Sequence, residues 1–110
     1  MIFQWDDKNV EHIARHHVTP TEAEPIVTRA APPFPKEGED DKQVVWGRTA
    51  NGRYLQVIFV FKDPQDVAAG SLTLVDRTAI SEGWETQVIR VIHAMDLTDA
   101  MRKKYRKIRR

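Results

Sequence analysis

Hydrophobic positions recur at helical spacing near the start of the chain and predict a first helix there. The stripe at i, i+3, i+4 and i+7 consists of Val10, Ile13, Ala14 and His17. Asp6 or Asp7 precedes it, and a carboxylate there can accept hydrogen bonds from the unpaired amides of the first turn. We expect the helix to end near His17.

A second short helix is predicted directly after the first. Thr19 and Glu22 have the spacing of a capping box, and Pro20 stands at the first helical position, where proline is favoured. Pro25 removes an intrahelical hydrogen bond, so we expect a kink or a very short helix. The breaker-rich segment 30–41 that follows predicts a surface loop.

The middle of the chain changes to the spacing of strands. Residues 42–49 and 53–62 read as two strands joined through Asn51-Gly52, a dipeptide that accepts the positive φ angles of a tight hairpin. The second of them, apolar at almost every position from Leu55 to Phe61, should be a central strand covered on both faces.

The remaining segments complete an α+β order. Residues 71–76 suggest a strand or the arm of a longer hairpin, 81–85 a turn, and 86–94 the last strand. Thr98 should cap a final basic helix. We therefore predict one α+β domain over residues 1–110, with a small antiparallel sheet of three to five strands. Two N-terminal helices and one C-terminal helix should lie largely on one face of it.

Composition restricts the classes of function. The chain contains no cysteine, which excludes disulfides, thiolate metal sites and a cysteine nucleophile. No apolar run approaches the eighteen or so residues of a membrane helix, and the first residues lack the regions of a signal peptide. We accordingly expect no membrane association and a cytoplasmic location.

The net charge of +1 conceals a strong asymmetry. Residues 1–101 hold all sixteen acidic and ten basic residues, for a charge of −6, whereas the last nine residues contribute +7. A solvated tail and an RNA-binding face would both have this pattern. Tyr105 and Ile108 within the basic run indicate that it docks in part on the protein.

The basic helix after a strand that carries His93 suggests a polyanion bound beside an ionisable group. If that polyanion is RNA, its cleavage needs a base for the 2′-hydroxyl, cations for the phosphate and an acid for the leaving oxygen. His93 can change charge near neutral pH, Arg90 and Arg48 can neutralise phosphate, and Tyr105 can stack on a base or donate a proton. Strand alternation puts Arg90 and His93 on opposite faces unless a bulge intervenes. A strand-end histidine without catalytic role is the alternative for His93.

Two further histidines, His12 and His16, have the i, i+4 spacing of a zinc site on the first helix. No third ligand is evident, so we favour polar surface or helix-end packing. Among the tryptophans, Trp5 and Trp46 are expected in the core or an interface and Trp84 as a loop anchor.

The combination of motifs resembles the BrnT-type toxins, the ribonuclease half of a bacterial toxin–antitoxin pair. The motifs run in order along most of the chain: Trp5-Asp6, Lys8-Asn9, Arg15-His16-His17-Val18, Thr19, Glu22-Ala23, Trp46-Gly47-Arg48-Thr49, Asn51-Gly52-Arg53-Tyr54-Leu55, Arg90-Val91-Ile92-His93-Ala94, Thr98-Asp99, Arg102 and Tyr105. The resemblance implies a RelE-like fold with a basic concave surface for RNA. It also implies a small DNA-binding antitoxin that covers this surface, with operon autoregulation by the complex.

The chain departs from the family pattern near the expected chemistry. His93-Ala94-Met95 stands in place of a Ser/Thr-Ala-Arg pattern, Met101 in place of glutamate, and Lys42 in place of arginine. Two hypotheses follow. The first is a toxin-type, metal-independent endoribonuclease without cofactor; the second is a scaffold that binds an antitoxin, RNA or another acidic partner without cleavage. Either a homodimer or a toxin–antitoxin hetero-oligomer would fit.

The first hypothesis assigns roles to named residues. The expected catalytic group comprises His93, Arg90, Arg48 and Tyr105. The expected RNA-binding residues are Lys42, Arg53, Arg102, Lys103, Lys104, Arg106 and Lys107.

Overall fold

A computed structural model describes residues 1–109 of the chain. Its strands are β1 (Ile2–Phe3), β2 (Lys36–Glu37), β3 (Gln43–Arg48), β4 (Tyr54–Lys62) and β5 (Val88–Asp96). Its α-helices are α1 (Asp7–Ala14), α2 (Pro20–Thr28), α3 (Leu74–Ser81) and α4 (Asp99–Ile108), with two short 3₁₀ turns at Pro64–Asp66 and Ala69–Ser71. Within the described part, no helix has both the length and the apolar character needed to cross a membrane.

The strands form one five-stranded sheet in the order β1-β5-β4-β3-β2. The α+β class is confirmed, and β4 is central as predicted. The sheet is mixed rather than wholly antiparallel, because β1 pairs in parallel with β5 while the other pairs are antiparallel. The hairpin turn at Asn51-Gly52 is also confirmed, with Gly52 at a φ of +89°.

The predicted caps hold α1 and α2 in place. Asp6 forms a capping box with Asn9, and Thr19 forms one with Glu22. The predicted stripe of α1 is partly wrong, because the helix ends at Ala14 and His17 then takes a φ of +58° and is exposed. Asn9 is buried instead, since it bonds to backbone groups rather than to water.

One face of the sheet carries the main core. Val45, Leu55 and Val57 are fully buried there, and α2 packs closely enough that a Cβ on Gly47 would meet Ile26 at 3.0 Å. Glycine at that position therefore permits the close approach of helix and strand. Pro25 is accommodated within the nine residues of α2.

Helices lie on both faces, which corrects the expectation of one covered face. Tyr54 precedes the buried Leu55 on β4 and so points to the opposite side of the sheet. Tyr105 of α4 packs against that tyrosine with ring centroids 6.0 Å apart. The opposite face of β4 is only half-buried, and Phe61 is exposed, so complete coverage of both faces is also wrong.

The prediction of a strand at 71–76 is wrong. Thr73 accepts a hydrogen bond from the Asp76 amide and caps α3, which leaves Leu74 and Val75 on the surface. The apolar residues in this segment are typical of a strand, but the Thr73 cap starts a helix here instead. The predicted loop at 30–41 contains the two-residue strand β2, and Trp84 is exposed rather than anchored.

Candidate nucleic-acid site on the sheet

A bulge in β5 determines which side chains face the second, less buried side of the sheet. The pairing changes register between Ile58 opposite His93 and Phe59 opposite Val91, so Ile92 is an extra residue. Because directly paired residues point to the same side, His93 and Arg90 share one face. The expected alternation would have separated them.

The bulge also gives α1 its attachment to the sheet. The side-chain amide of buried Asn9 donates to the carbonyl oxygens of Val91 at 3.2 Å and Gln4 at 3.0 Å. A buried carbonyl without such a donor would cost roughly 1–3 kcal/mol. The register of α1 on β5 is therefore fixed, and this places His12 of α1 and His16 of the following turn beside His93.

Three imidazole rings meet at this point and form the histidine cluster, defined as His12, His16 and His93. His93 Nδ1 lies 3.5 Å from His12 Nε2, and the two ring centroids are 5.7 Å apart. His16 stands edge-on to His93 with centroids 5.0 Å apart and planes inclined by 76°. His12 lies on α1, and His16 lies in the turn directly after that helix, where its amide donates to the Ile13 carbonyl at 3.1 Å.

Burial lowers the pKa of His93 below its usual value, and the neighbouring His16 and His12 lower it further. The ring is therefore held in its neutral form near neutral pH, which is the form that accepts a proton. Among residues 1–109, no group of three or more histidine, aspartate or glutamate side chains is placed to hold a metal ion. The neutral His93 ring can accept a proton from a bound group, so the cluster can take part in proton transfer.

Arg90 lies near this cluster but is engaged by carboxylate and amide groups. Its guanidinium donates to Asp6 at 2.9 Å and to Gln4 at 2.5 Å. The hydrogen bond from Arg90 is the largest cause that holds the pKa of Asp6 well below its usual range. Arg90 also lines a shallow depression together with Lys8 and His12.

A second constellation occupies the same face near the hairpin. We call it the arginine–tyrosine cluster, and it comprises Arg48, Tyr54, Arg102 and Arg106. The three guanidinium carbons lie 5.4, 4.9 and 5.8 Å respectively from the centroid of the Tyr54 ring. Distances below about 6 Å allow attraction between the cations and the ring quadrupole.

The cations of this cluster are not neutralised by the protein. Within residues 1–109, none of the three guanidiniums forms an ion pair with a carboxylate. Arg102 Nε is buried and has no hydrogen-bond partner, although buried donors are normally paired. Three like charges around one ring, with an unused buried donor, constitute a site suited to an anion.

Arg53 has a different environment, although it follows the same turn. Its five N–H donors contact Asp96 at 2.7 and 3.0 Å, Glu22 at 3.3 Å, and the His16 and His17 carbonyls at 2.8 and 2.6 Å. The Asp96 hydrogen bond is the main cause that raises the pKa of Arg53 and lowers that of Asp96. We therefore leave Arg53 out of the candidate RNA surface, because no donor remains for phosphate.

The other sequence-predicted residues do not form one site. Lys42 precedes β3 at the end opposite Arg48, about 20 Å away at 3.4 Å per residue. Tyr105 is half-buried against Phe34 and Tyr54, so it packs against the Tyr54 ring of the cluster. Lys103, Lys104 and Lys107 are exposed on the outer side of α4.

Sequence reasoning missed Tyr54 and the position of His12 and His16 beside His93. The position of Tyr54 beside Arg48 could have been predicted from the Asn51-Gly52 turn, because the register of that hairpin pairs the two residues. The i, i+4 spacing of His12 and His16 indicated a shared site, but nothing near them in sequence pointed to His93.

Comparison with known proteins adds no assignment. The sequence matches no protein-family model. Searches of curated proteins and of solved structures find no match either.

Proposed function

We propose that this protein is a toxin-type, metal-independent endoribonuclease that holds RNA on the arginine–tyrosine cluster and cleaves it at the histidine cluster. One observation carries the proposal. The face of the sheet that presents His93 and Arg90 is also the face that presents Tyr54 and Arg48, because all four side chains follow from one register of paired strands.

The separation of the two clusters suits a single strand of nucleic acid. His93 pairs with Ile58, four residues along β4 from Tyr54, which corresponds to about 14 Å at 3.4 Å per residue. The half-buried Tyr54 ring can stack on an unpaired base, and the guanidiniums around it can bind the adjacent phosphates. The neighbouring nucleotide would then lie toward the histidines.

RNA is favoured over DNA by the chemistry of the histidine cluster. A neutral imidazole can accept the proton of a 2′-hydroxyl, which only RNA possesses. Arg90 and Lys8 border the same depression and would stabilise the charge that develops on the phosphate.

The α+β sheet and the terminal basic helix are compatible with the RelE-like fold implied by the motifs. In that proposal a neighbouring antitoxin would cover the arginine–tyrosine cluster with acidic side chains. A small DNA-binding protein encoded beside this chain would support it.

Cleavage of a labelled single-stranded RNA by the purified protein, in the presence of EDTA, tests the proposal. Wild type should cleave RNA and leave DNA of the same sequence intact. His93→Gln should reduce the rate about 100-fold or more, which is the usual contribution of general base catalysis. His17→Asn is the matched control, because its side chain lies outside the cluster and asparagine tolerates its positive φ.

A second candidate function is binding without cleavage, and a specific observation favours it. The guanidinium of Arg90 is already occupied by Asp6 and Gln4, and Met95 lies two residues beyond His93 where a cation is expected. In that case wild type would bind RNA or an acidic protein with the arginine–tyrosine cluster. Intact RNA after prolonged incubation, with binding retained, would replace the first candidate by this one.

A further inference from the structure

We propose that His16 is the general acid that works with His93 as the general base, and that His12 positions the His93 ring. This inference rests on the proposed endoribonuclease function and names a second reacting group for it. It also gives a purpose to two histidines whose zinc-like spacing the rest of the molecule leaves unused.

The geometry divides the roles among the three rings. His93 is half-buried and its Nδ1 faces His12 Nε2 at 3.5 Å, which leaves its Nε2 for a substrate. His16 is exposed and stands edge-on at 5.0 Å between centroids, so it can exchange protons with solvent and still reach the same phosphodiester. A base and an acid must be separate groups, because the attacking and leaving oxygens lie on opposite sides of phosphorus.

The reaction balances without any further reagent. His93 Nε2 removes the proton of the 2′-hydroxyl, and the 2′-oxygen forms a bond to phosphorus. The bond from phosphorus to the 5′-oxygen breaks, and that oxygen takes a proton from His16. The products are a 2′,3′-cyclic phosphate and a 5′-hydroxyl, and exchange with water restores both rings.

Other charged groups surround the cluster on each element packed against it. Lys8 on α1 and Arg90 on β5 border the depression beside His12. At the opposite side, Asp96 lies close enough to His16 for their charges to interact, while Arg53 holds the same carboxylate at 2.7 Å. Lys8 and Arg90 would attract the phosphate, and the Arg53–Asp96 pair fixes the end of β5 next to His16.

A substrate with sulfur in place of the 5′-oxygen tests the acid directly. A thiolate leaves without protonation, because a thiol has a pKa near 8.5, far below that of an alcohol. His16→Gln should lose about 100-fold or more in rate on the normal RNA, yet cleave the 5′-thio RNA within about threefold of wild type. His93→Gln should be slow on both substrates, and the control His17→Asn should match wild type on both.

The outcomes distinguish this inference from the function on which it rests. If wild type cleaves RNA and His16→Gln is equally active, or is equally impaired on both substrates, the acid assignment is overturned while the ribonuclease stands. If wild type cleaves neither substrate, the proposed function fails and the inference fails with it. Circular dichroism of each variant confirms folding, which is expected because His16 is exposed.

His12 has its own readout as a positioning residue. In wild type, kcat/KM should rise with pH as His93 loses its proton. Because the neighbouring His12 helps to lower the pKa of His93, His12→Gln should raise that pKa, so this acidic limb should move to higher pH while the limb itself remains. A rate that falls uniformly at every pH, with the limb unmoved, would contradict the positioning role.

Discussion

Arg48 and Arg53 stand on the two sides of one hairpin turn, yet their charges have different surroundings. Arg53 is held by two carboxylates and two carbonyl oxygens. Arg48 is exposed against Gly52 and Tyr54, with two more arginines from α4 around the same ring. Similar residues five positions apart thus divide into a structural cation and a cation available to a ligand.

The difference arises from where carboxylates converge. Glu22 on α2 and Asp96 at the end of β5 both reach the position of Arg53, whereas no carboxylate pairs with Arg48 within residues 1–109. A count of basic residues does not reveal this. Charge becomes available for nucleic acid only where the fold leaves it without a partner.

The largest expected effect is on RNA binding, and it comes from the three arginines of the arginine–tyrosine cluster. Replacing Arg48, Arg102 and Arg106 together with glutamine should weaken RNA binding about 100-fold and lower the salt slope by about 2, at roughly 0.7 per phosphate contact on a single strand. Fluorescence anisotropy at several salt concentrations measures both. An unchanged salt slope would mean that phosphate is bound elsewhere.

Arg53→Gln should destabilise the protein more than Arg48→Gln does. Loss of the charged hydrogen bonds to Asp96 and Glu22 should lower the free energy of unfolding by about 2 kcal/mol. Urea denaturation measures it, with Arg48→Gln as the control, for which we expect a change within about 0.5 kcal/mol. Equal effects of the two substitutions would remove the distinction between them.

Tyr54 separates stacking from charge within the arginine–tyrosine cluster. Tyr54→Ala should reduce RNA affinity by about 1.5 kcal/mol, because it removes the surface on which a base and the guanidiniums stack. Tyr54→Phe keeps the ring and should bind nearly as well as wild type. Loss of binding in the phenylalanine variant would point to the hydroxyl instead.

The smallest expected effect is a pH dependence of stability, which comes from the carboxylates that pair with arginines. The folded pKa values of Asp6 and Asp96 lie below their ordinary values, so the stability they supply is complete above about pH 4 and is lost as pH falls through the folded pKa. Asp6→Asn should reduce the slope of unfolding free energy against pH below about 4. We expect a contribution of about 1 kcal/mol, since solvent weakens this half-exposed pair.

Helix caps and turns could be predicted from the sequence, whereas features that depend on contacts between distant residues could not. The caps at Asp6, Thr19 and Thr98 and the Asn51-Gly52 turn were all readable, because each depends on a few adjacent residues. The strand expected at 71–76 became a helix through one threonine cap, a signal that its apolar residues concealed.

The site was harder to predict because its parts meet only in three dimensions. His93 and Arg90 were identified as candidates, but strand alternation alone would have separated them. The meeting of α4 with Tyr54 has no local signature, since Arg102 and Arg106 lie about fifty residues from it. The five hydrogen bonds of Arg53 likewise go to four residues in three separate segments.

The extra residue Ile92 lets β5 change which of its side chains face the core without losing its pairing with β4. If the bulge were lost while Ile92 stayed in the chain, regular alternation would continue from Val91, so that His93 would point to the core side and Ala94 to the opposite side. Deleting Ile92 would have no such effect, because Val91 and His93 would then stand as neighbours opposite Phe59 and Ile58. A chain one residue shorter would therefore keep the inside and the outside of this strand as they are.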